Sequence, residues 1–159
     1  GEMVTGNMGS SMRMNYTMMG DTVNLAARLE PAAKHYGVYI FVAEHTQKAV
    51  ADLFEWRFLD YLKVKGKKKP VKGYELISLK NEMSDNQSQL VQAFDEGIKL
   101  YKKQDWTKAK KRFKEALSLE EKFADRPTTP SDVYLDRCDY FKADPPGKDW
   151  DGIWTMKTK

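Results

Sequence analysis

Apolar residues along this chain follow two different periodicities, and the change comes near residue 80. The first part has short apolar runs between glycines, and the β-branched run VYIFVA at 38–43 is typical of a buried strand. Further strand candidates are 1–6, 12–19, 56–65 and 71–79, and segments with helical spacing are 23–30 and 44–54. This order of elements predicts an α+β fold with helices on one face of a sheet.

The first predicted helix has both a start signal and an interruption. Asp21 or Thr22 can cap the N-terminus of a helix that begins at Val23. Pro31 lacks the backbone N–H that a helix interior needs, and its ring crowds the preceding turn. We therefore predict that the helix kinks or restarts after Glu30.

Beyond residue 88 the apolar spacing is helical. The polar segment 81–88 lacks apolar periodicity, and we interpret it as a linker. Two apolar stripes then predict two amphipathic helices: Leu90, Phe94, Ile98 and Tyr101 form the first, and Ala109, Phe113, Ala116 and Leu117 the second. Small residues, among them Gly97, are spaced as in a tetratricopeptide repeat, a helix pair that packs closely.

A single helix pair of this kind cannot bury its own apolar face, so it needs a partner surface. We predict a third helix at 131–141, with Ser131 as a candidate cap, and an aromatic segment held by its tryptophans. The pair is expected to pack on this third helix or on the first domain. The predicted domains are 1–80, an α+β unit; 81–88, a linker; and 89–159, a small all-α tail.

Composition places the chain among globular proteins, with 41% hydrophobic and 31% charged residues in a length of 159. It contains no apolar stretch near the ~20 residues that a membrane span needs. The single cysteine, Cys138, excludes an internal disulfide and a cysteine-rich metal site, so we expect a reducing, cytoplasmic setting. Because the first residue is Gly1, we expect the chain to be a piece of a longer protein.

Positive charge is concentrated in one loop of the first domain. Six of the twelve Lys and Arg residues before residue 81 lie between Lys63 and Lys72. Such a cluster is either a solvated hairpin tip or a site for an anion such as a phosphate. A nucleic-acid partner is not expected, because no aromatic residues are interleaved across a basic face.

Three polar residues share one side of the first predicted helix. Asp21, Asn24 and Arg28 are spaced at i, i+3 and i+7. An amide and a guanidinium one turn apart can bind oxygen atoms of a ribose and a triphosphate, and the planar guanidinium bonds phosphate in two places. Surface pairs of this kind are also common as merely solvated residues, and the spacing by itself leaves both interpretations open.

The residues around this pair form a longer pattern. The run YTMMGDTVNLAARLE at 16–30, preceded by GNMG at 6–9, closely resembles the signature of class III adenylate and guanylate cyclases of bacterial type. The sequence VKGK at 64–67, between two predicted strands, matches a second feature of that family. The resemblance covers about residues 1–80, roughly the second half of a catalytic domain. It implies the C-terminal part of a ferredoxin-like cyclase fold.

The resemblance also implies roles for individual residues. Asn24 corresponds to the asparagine that orients the ribose, and Arg28 to the arginine that stabilises phosphate charge during transfer. Lys65 matches the lysine that binds the triphosphate. Thr17 stands at the base-selecting position, where cyclases that use ATP commonly have Asp or Thr and guanylate cyclases a smaller residue. The implied substrate is therefore ATP, with GTP as the alternative.

The family resemblance further implies a cofactor and a partner. Family members use two metal ions, Mg²⁺ or Mn²⁺, held by aspartates in the N-terminal half, and we find no counterpart of those aspartates here. Their site lies between two catalytic domains, so a homodimer is implied and this chain alone is predicted to be inactive. The alternative is a degenerate, non-catalytic module. The helical tail braces the domain, mediates dimer contacts or binds another protein; these options stay open.

Overall fold

The computed structural model describes residues 1–63 and 70–154. Its β-strands are β1 (Val4–Ser10), β2 (Arg13–Met19), β3 (Phe41–Ala43), β4 (Phe54–Leu62) and β5 (Val71–Leu79). Its helices are α1 (Asp21–Tyr36), α2 (Glu44–Ala49), α3 (Asp85–Lys102), α4 (Trp106–Leu119) and α5 (Pro130–Ala143). The predicted α+β class is confirmed.

The strands form two separate antiparallel sheets in the described part of the chain. β1 and β2 pair as a hairpin, in register from Val4 opposite Met19 to Ser10 opposite Arg13. The other three strands form a sheet in the order β3-β5-β4. Side chains on both faces of the hairpin are largely exposed, whereas every residue of β4 is either half-buried or buried. The hydrophobic core therefore lies on the three-stranded sheet, and the hairpin projects from it.

Helix α1 runs from Asp21 to Tyr36 without interruption, so the predicted break at Pro31 was wrong. The proline removes only one backbone donor, and the buried face on either side of it is held by Leu29, Ala32 and Tyr36. The predicted cap was also wrong. Gly20 is the N-cap residue, no side chain caps the helix, and the Thr22 hydroxyl donates instead to the carbonyl of Glu2 at 2.7 Å.

Two elements of the first domain are shorter than the apolar pattern predicted. Strand β3 begins only at Phe41, and helix α2 ends at Ala49, before the predicted end at residue 54. The chain between α1 and β3 begins with Gly37, which has a left-handed conformation (φ 70°). A side chain there would overlap the backbone of Thr128 from the helical tail, so glycine permits the close approach of the two regions.

The three tail helices form as predicted, but their caps differ in detail. Ser84 and Gln87 form a capping box at α3, so the predicted linker 81–88 contains the first turn of this helix. Helix α5 begins one residue earlier than predicted, and Thr129 rather than Ser131 is its cap. The Ser131 side chain is buried and donates to the carboxylate of Glu120, the residue that follows α4, at 2.9 Å.

One hydrophobic cluster extends from α1 and β4 into all three tail helices. In its centre the ring of Phe113 stacks on Tyr134 at 4.9 Å and meets Phe94 edge-on at 5.4 Å. Trp150 and Trp154 pack against the same cluster, as expected for the aromatic tail. The helix pair therefore packs both on the third helix and on the first domain. Division of the chain into domains 1–80 and 89–159 stays a prediction.

None of the helices within the described ranges combines the length and apolar character that crossing a bilayer requires.

Candidate functional site

Helix α1 carries the predicted pair in its first two turns. Asn24 and Arg28 are both exposed, and their separation of four residues places them on the same face, about 6 Å apart along the axis. The backbone N–H of Asn24 donates to the carbonyl of Gly20 at 3.1 Å, so the helix is regular at this point. The two side chains can therefore contact one ligand together.

Thr17 lies near the end of β2, opposite Gly6 in the hairpin register, and is exposed. Only Gly20 separates the end of β2 at Met19 from the start of α1. This tight connection fixes the strand end next to the helix N-terminus, so Thr17 and Asn24 belong to one continuous segment of structure. Lys65, the predicted triphosphate ligand, lies outside the described residues.

The C-terminal end of α1 is held by a buried polar cluster that the sequence did not reveal. The Tyr36 hydroxyl donates to the Asp60 carboxylate at 2.5 Å. Arg137 of α5 donates to the same carboxylate oxygen at 2.7 Å and to the Tyr36 hydroxyl at 2.8 Å. We call these three residues the α1 clamp. Asp60 within the apolar strand sequence FLDYL was the one local sign that a buried charge needed a partner.

Burial decides the ionisation of the clamp. Removal of the Tyr36 hydroxyl from water, together with the negative charge of Asp60, raises the pKa of Tyr36 well above its ordinary value. Burial lowers the pKa of Arg137, but the charge of Asp60 and the neighbouring Tyr36, Tyr134 and Tyr101 together outweigh that effect, so the pKa of Arg137 is also raised. Tyr36 thus remains a neutral donor and Arg137 a cation, and the buried carboxylate is compensated.

Residues 1–78 match the family described as the adenylate and guanylate cyclase catalytic domain. These residues belong to that family. The matched range contains β1 to β5 almost completely and includes Thr17, Asn24 and Arg28, and also the undescribed Lys65. We refer to it below as the cyclase region.

Proteins that are similar in sequence to this chain are named adenylate cyclases. The chain is 33% identical over 144 residues to "Adenylate cyclase, terminal-differentiation specific" of Dictyostelium discoideum, covering 87% of this chain and 6% of that protein. It is 35% identical over 79 residues to "Adenylate cyclase 1" of Rhizobium meliloti, covering 50% of this chain and 12% of the relative. The chain thus spans only a small part of the relatives that it matches. The Dictyostelium match extends beyond the cyclase region into the helical tail.

A solved structure is also similar to part of the chain. The crystal structure of the adenylyl cyclase CyaB from P. aeruginosa shares 30% identity, covering 52% of this chain and 41% of that chain, with a TM-score of 0.42.

A second buried cluster joins the cyclase region to the tail. Arg57 of β4 donates to Glu75 of β5 at 2.8 Å and to Glu120, just after α4, at 2.8 Å. The Arg57 side chain is 2% exposed, and the guanidinium lies 4.9 Å from the Phe94 ring centre. Neither glutamate lies on α1, so this cluster ties the sheet to the tail without holding the helix that carries Asn24 and Arg28.

The family generally uses divalent metal ions, but the described residues do not offer a site for one. Among residues 1–63 and 70–154, no three or more His, Cys, Asp or Glu side chains are grouped as metal ligands. Asp21, at the start of α1, belongs to no such group, and one carboxylate does not make a site for Mg²⁺ or Mn²⁺. We therefore derive no chemical step through a metal from this chain.

Proposed function

We propose that this chain is part of an adenylate cyclase that converts ATP to cyclic AMP and pyrophosphate. The observation that carries the proposal is the pairing of Asn24 with Arg28 on an exposed face of α1, within a region that matches the cyclase family. Relatives that match this chain are named adenylate cyclases, which favours ATP over GTP. A hydroxyl at Thr17 is also suited to accept from the 6-amino group of adenine.

In the proposed reaction the ribose 3′-oxygen attacks the α-phosphate of ATP and pyrophosphate leaves. A new phosphorus–oxygen bond replaces the one to pyrophosphate, and the 3′-hydroxyl proton goes to solvent or a base. Asn24 orients the ribose, and Arg28 stabilises the negative charge that spreads over the phosphate oxygens. Such reactions depend on positioning and charge stabilisation, which suits residues on a rigid helix.

The remaining roles in this proposal fall partly to the protein beyond this chain and partly to other residues of this chain. Mg²⁺ or Mn²⁺ would be held by carboxylates of a second catalytic half, contributed at the interface of a homodimer. Lys65 would bind the triphosphate, and the helical tail would brace the cyclase region, mediate dimer contacts or bind a further protein. We place the activity in the cytoplasm, which suits a protein whose sole cysteine within these residues is a free thiol.

The proposal is tested by assaying the full-length parent enzyme with ATP and with GTP, beside two variants of α1. We expect Arg28→Ala to lower kcat about 100-fold or more, since it removes charge stabilisation made in the transition state. Lys34→Ala is the matched control, because Lys34 is an exposed cation on the same helix that pairs with Glu30. The kcat of Lys34→Ala should stay within about twofold of that of the unsubstituted enzyme, since exposed ion pairs contribute little to stability.

Three results would contradict the proposal: turnover of GTP in place of ATP, near-normal kcat for Arg28→Ala, or equal losses for Arg28→Ala and Lys34→Ala. Asn24→Ala should lower kcat with the fold intact, as judged by circular dichroism. The purified 159-residue chain should make no cyclic AMP with ATP and Mn²⁺, and measurable product from it would refute the assignment of the metal ligands to another part of the protein.

A further inference from the structure

The two ends of α1 are held very differently. At the N-terminal end no side chain caps the helix, and the neighbouring hairpin is exposed on both faces. At the C-terminal end Tyr36 is fully buried and takes part in the α1 clamp with Asp60 and Arg137, which are each 3% exposed. The position of the helix is therefore determined mainly by its buried face and by this clamp.

Arg137 comes from the far end of the chain but contacts α1 directly. It lies 101 residues after Tyr36 and 77 after Asp60, and it donates to both. Aromatic rings surround the guanidinium: Tyr134 at 4.9 Å, Trp154 at 5.1 Å and Tyr36 at 5.6 Å. A guanidinium held by a carboxylate, a hydroxyl and three rings has little freedom to take another position.

We propose that Arg137 is a positioning residue for cyclisation, acting through Tyr36 on the α1 residues Asn24 and Arg28. This inference rests on the function proposed above. Tyr36 lies eight residues beyond Arg28, which is about 12 Å along the helix. A small rotation of the C-terminal end is thus carried along the helix to the guanidinium of Arg28. Misplacement of a catalytic group by about 1 Å can lower the rate on the order of 100-fold.

The inference gives the helical tail a part in catalysis. The tail supplies Arg137 through α5, and α5 is held in turn by α4 and by the aromatic residues at 150 and 154. The Dictyostelium relative matches the chain through the cyclase region and into the tail, which is consistent with the two regions acting as one unit.

The chain provides a close control in Arg57. Its side chain is 2% exposed against 3% for Arg137, and it also joins the sheet to the tail by bonds to carboxylates. Its carboxylate partners, Glu75 and Glu120, lie off α1. Arg57→Met and Arg137→Met therefore remove equally buried cations with the same side chain, and only the second removes a bond to α1.

The experiment compares these variants in the full-length parent enzyme, well below the unfolding temperature of the weaker one. We expect both to lower Tm. Arg137→Met should lower kcat at least tenfold with the KM for ATP within about threefold, because Asn24 and Arg28 serve the transition state. Arg57→Met should keep kcat within about twofold. Arg137→Lys, which retains the charge, should recover part of the lost kcat.

Amide hydrogen exchange gives a readout that is independent of activity. Exchange at residues 24–36 should be faster in Arg137→Met than in the unsubstituted enzyme, and it should be unchanged in Arg57→Met. If Arg137→Met does not fold, Tyr36→Phe replaces it, because this change removes one oxygen atom and leaves the ring in place. We expect at least a threefold lower kcat and faster α1 exchange from Tyr36→Phe.

Equal losses of kcat in Arg137→Met and Arg57→Met, or a normal kcat and normal α1 exchange in Tyr36→Phe, would overturn the inference. Failure of the proposed function is distinguishable from this result. In that case the parent enzyme makes no cyclic AMP or Arg28→Ala is fully active, while the exchange measurement still decides whether Arg137 positions α1.

Discussion

Replacing Gly97 by alanine tests whether α3 and α4 are packed as closely as the structure has them. Gly97 is buried in the middle of α3, where an added Cβ would lie 2.6 Å from one ring atom of Phe113 and 2.8 Å from a second. Both distances are shorter than real Cβ contacts allow. The Phe113 ring is fully buried and contacts the rings of Tyr134 and Phe94, so a shift of Phe113 disturbs this packing.

Two effects of opposite sign determine the result. Alanine in a helix interior is favoured over glycine by about 1 kcal/mol. Overpacking a well-packed core costs about 1–3 kcal/mol and occasionally more. Since the overlap is with an enclosed aromatic ring, we take the upper part of that range. The net loss of unfolding free energy is then about 1–2 kcal/mol, or a Tm lower by about 2–8 °C for a chain of this size.

The measurement is urea and thermal unfolding followed by circular dichroism at 222 nm. Gly147→Ala is the control, because a Cβ at Gly147 meets no atom within 4 Å. That variant should be neutral or slightly more stable, since alanine restricts the unfolded chain. The double variant Gly97→Ala/Phe113→Leu should be less destabilised than the sum of its single changes, because the smaller side chain relieves the overlap. A higher Tm for Gly97→Ala alone would refute this account of the helix interface.

Two further predictions concern buried titratable groups. Burial raises the pKa of the Cys138 thiol to about 12, so the thiol should react slowly with a labelling reagent at pH 8. Mass spectrometry of the peptide that contains Cys138 should show labelling of the folded protein at least about 100-fold slower than that of the protein unfolded in urea. Equal rates in the two states would show that α5 is not docked. Burial also raises the pKa of Tyr36, Tyr101 and Tyr134, so these protons are released only by the unfolded state, and stability should fall as pH rises above about 10. Absorbance at 295 nm should then show an ionisation step that coincides with unfolding, and reversible titration of all eight tyrosines in the folded protein would contradict it.

Periodicity predicted the tail helices well, because their apolar stripes are long. The stripe from Leu90 to Tyr101 lies on the buried face of α3, and the one from Ala109 to Ala116 on that of α4. Short elements were less predictable. Helix α2 contains no buried residue, so its apolar spacing carried little information about where it ends.

Some residues of the candidate site could be predicted from the sequence, and others could not. Thr17, Asn24 and Arg28 could be selected from sequence, since they lie within fifteen consecutive residues that match a family signature. Their catalytic roles stay predictions. The α1 clamp could not be predicted from a sequence signature, because the sequence does not distinguish a buried arginine from a solvent-exposed one. Asp136 and Asp139 flank Arg137 in the sequence, whereas its buried salt bridge in the structure is to the distant Asp60.

The sequence by itself determined the order of most elements, the cyclase family of residues 1–78 and the α1 residues that the proposed chemistry uses. Each of these depends on residues close together in the chain. Only the tertiary structure decided that α1 passes through Pro31 unbroken and that α5 returns to hold its C-terminal end. A helix break and a buried ion pair both depend on what packs against them, and at Tyr36, Asp60 and Arg137 that packing joins segments up to 101 residues apart.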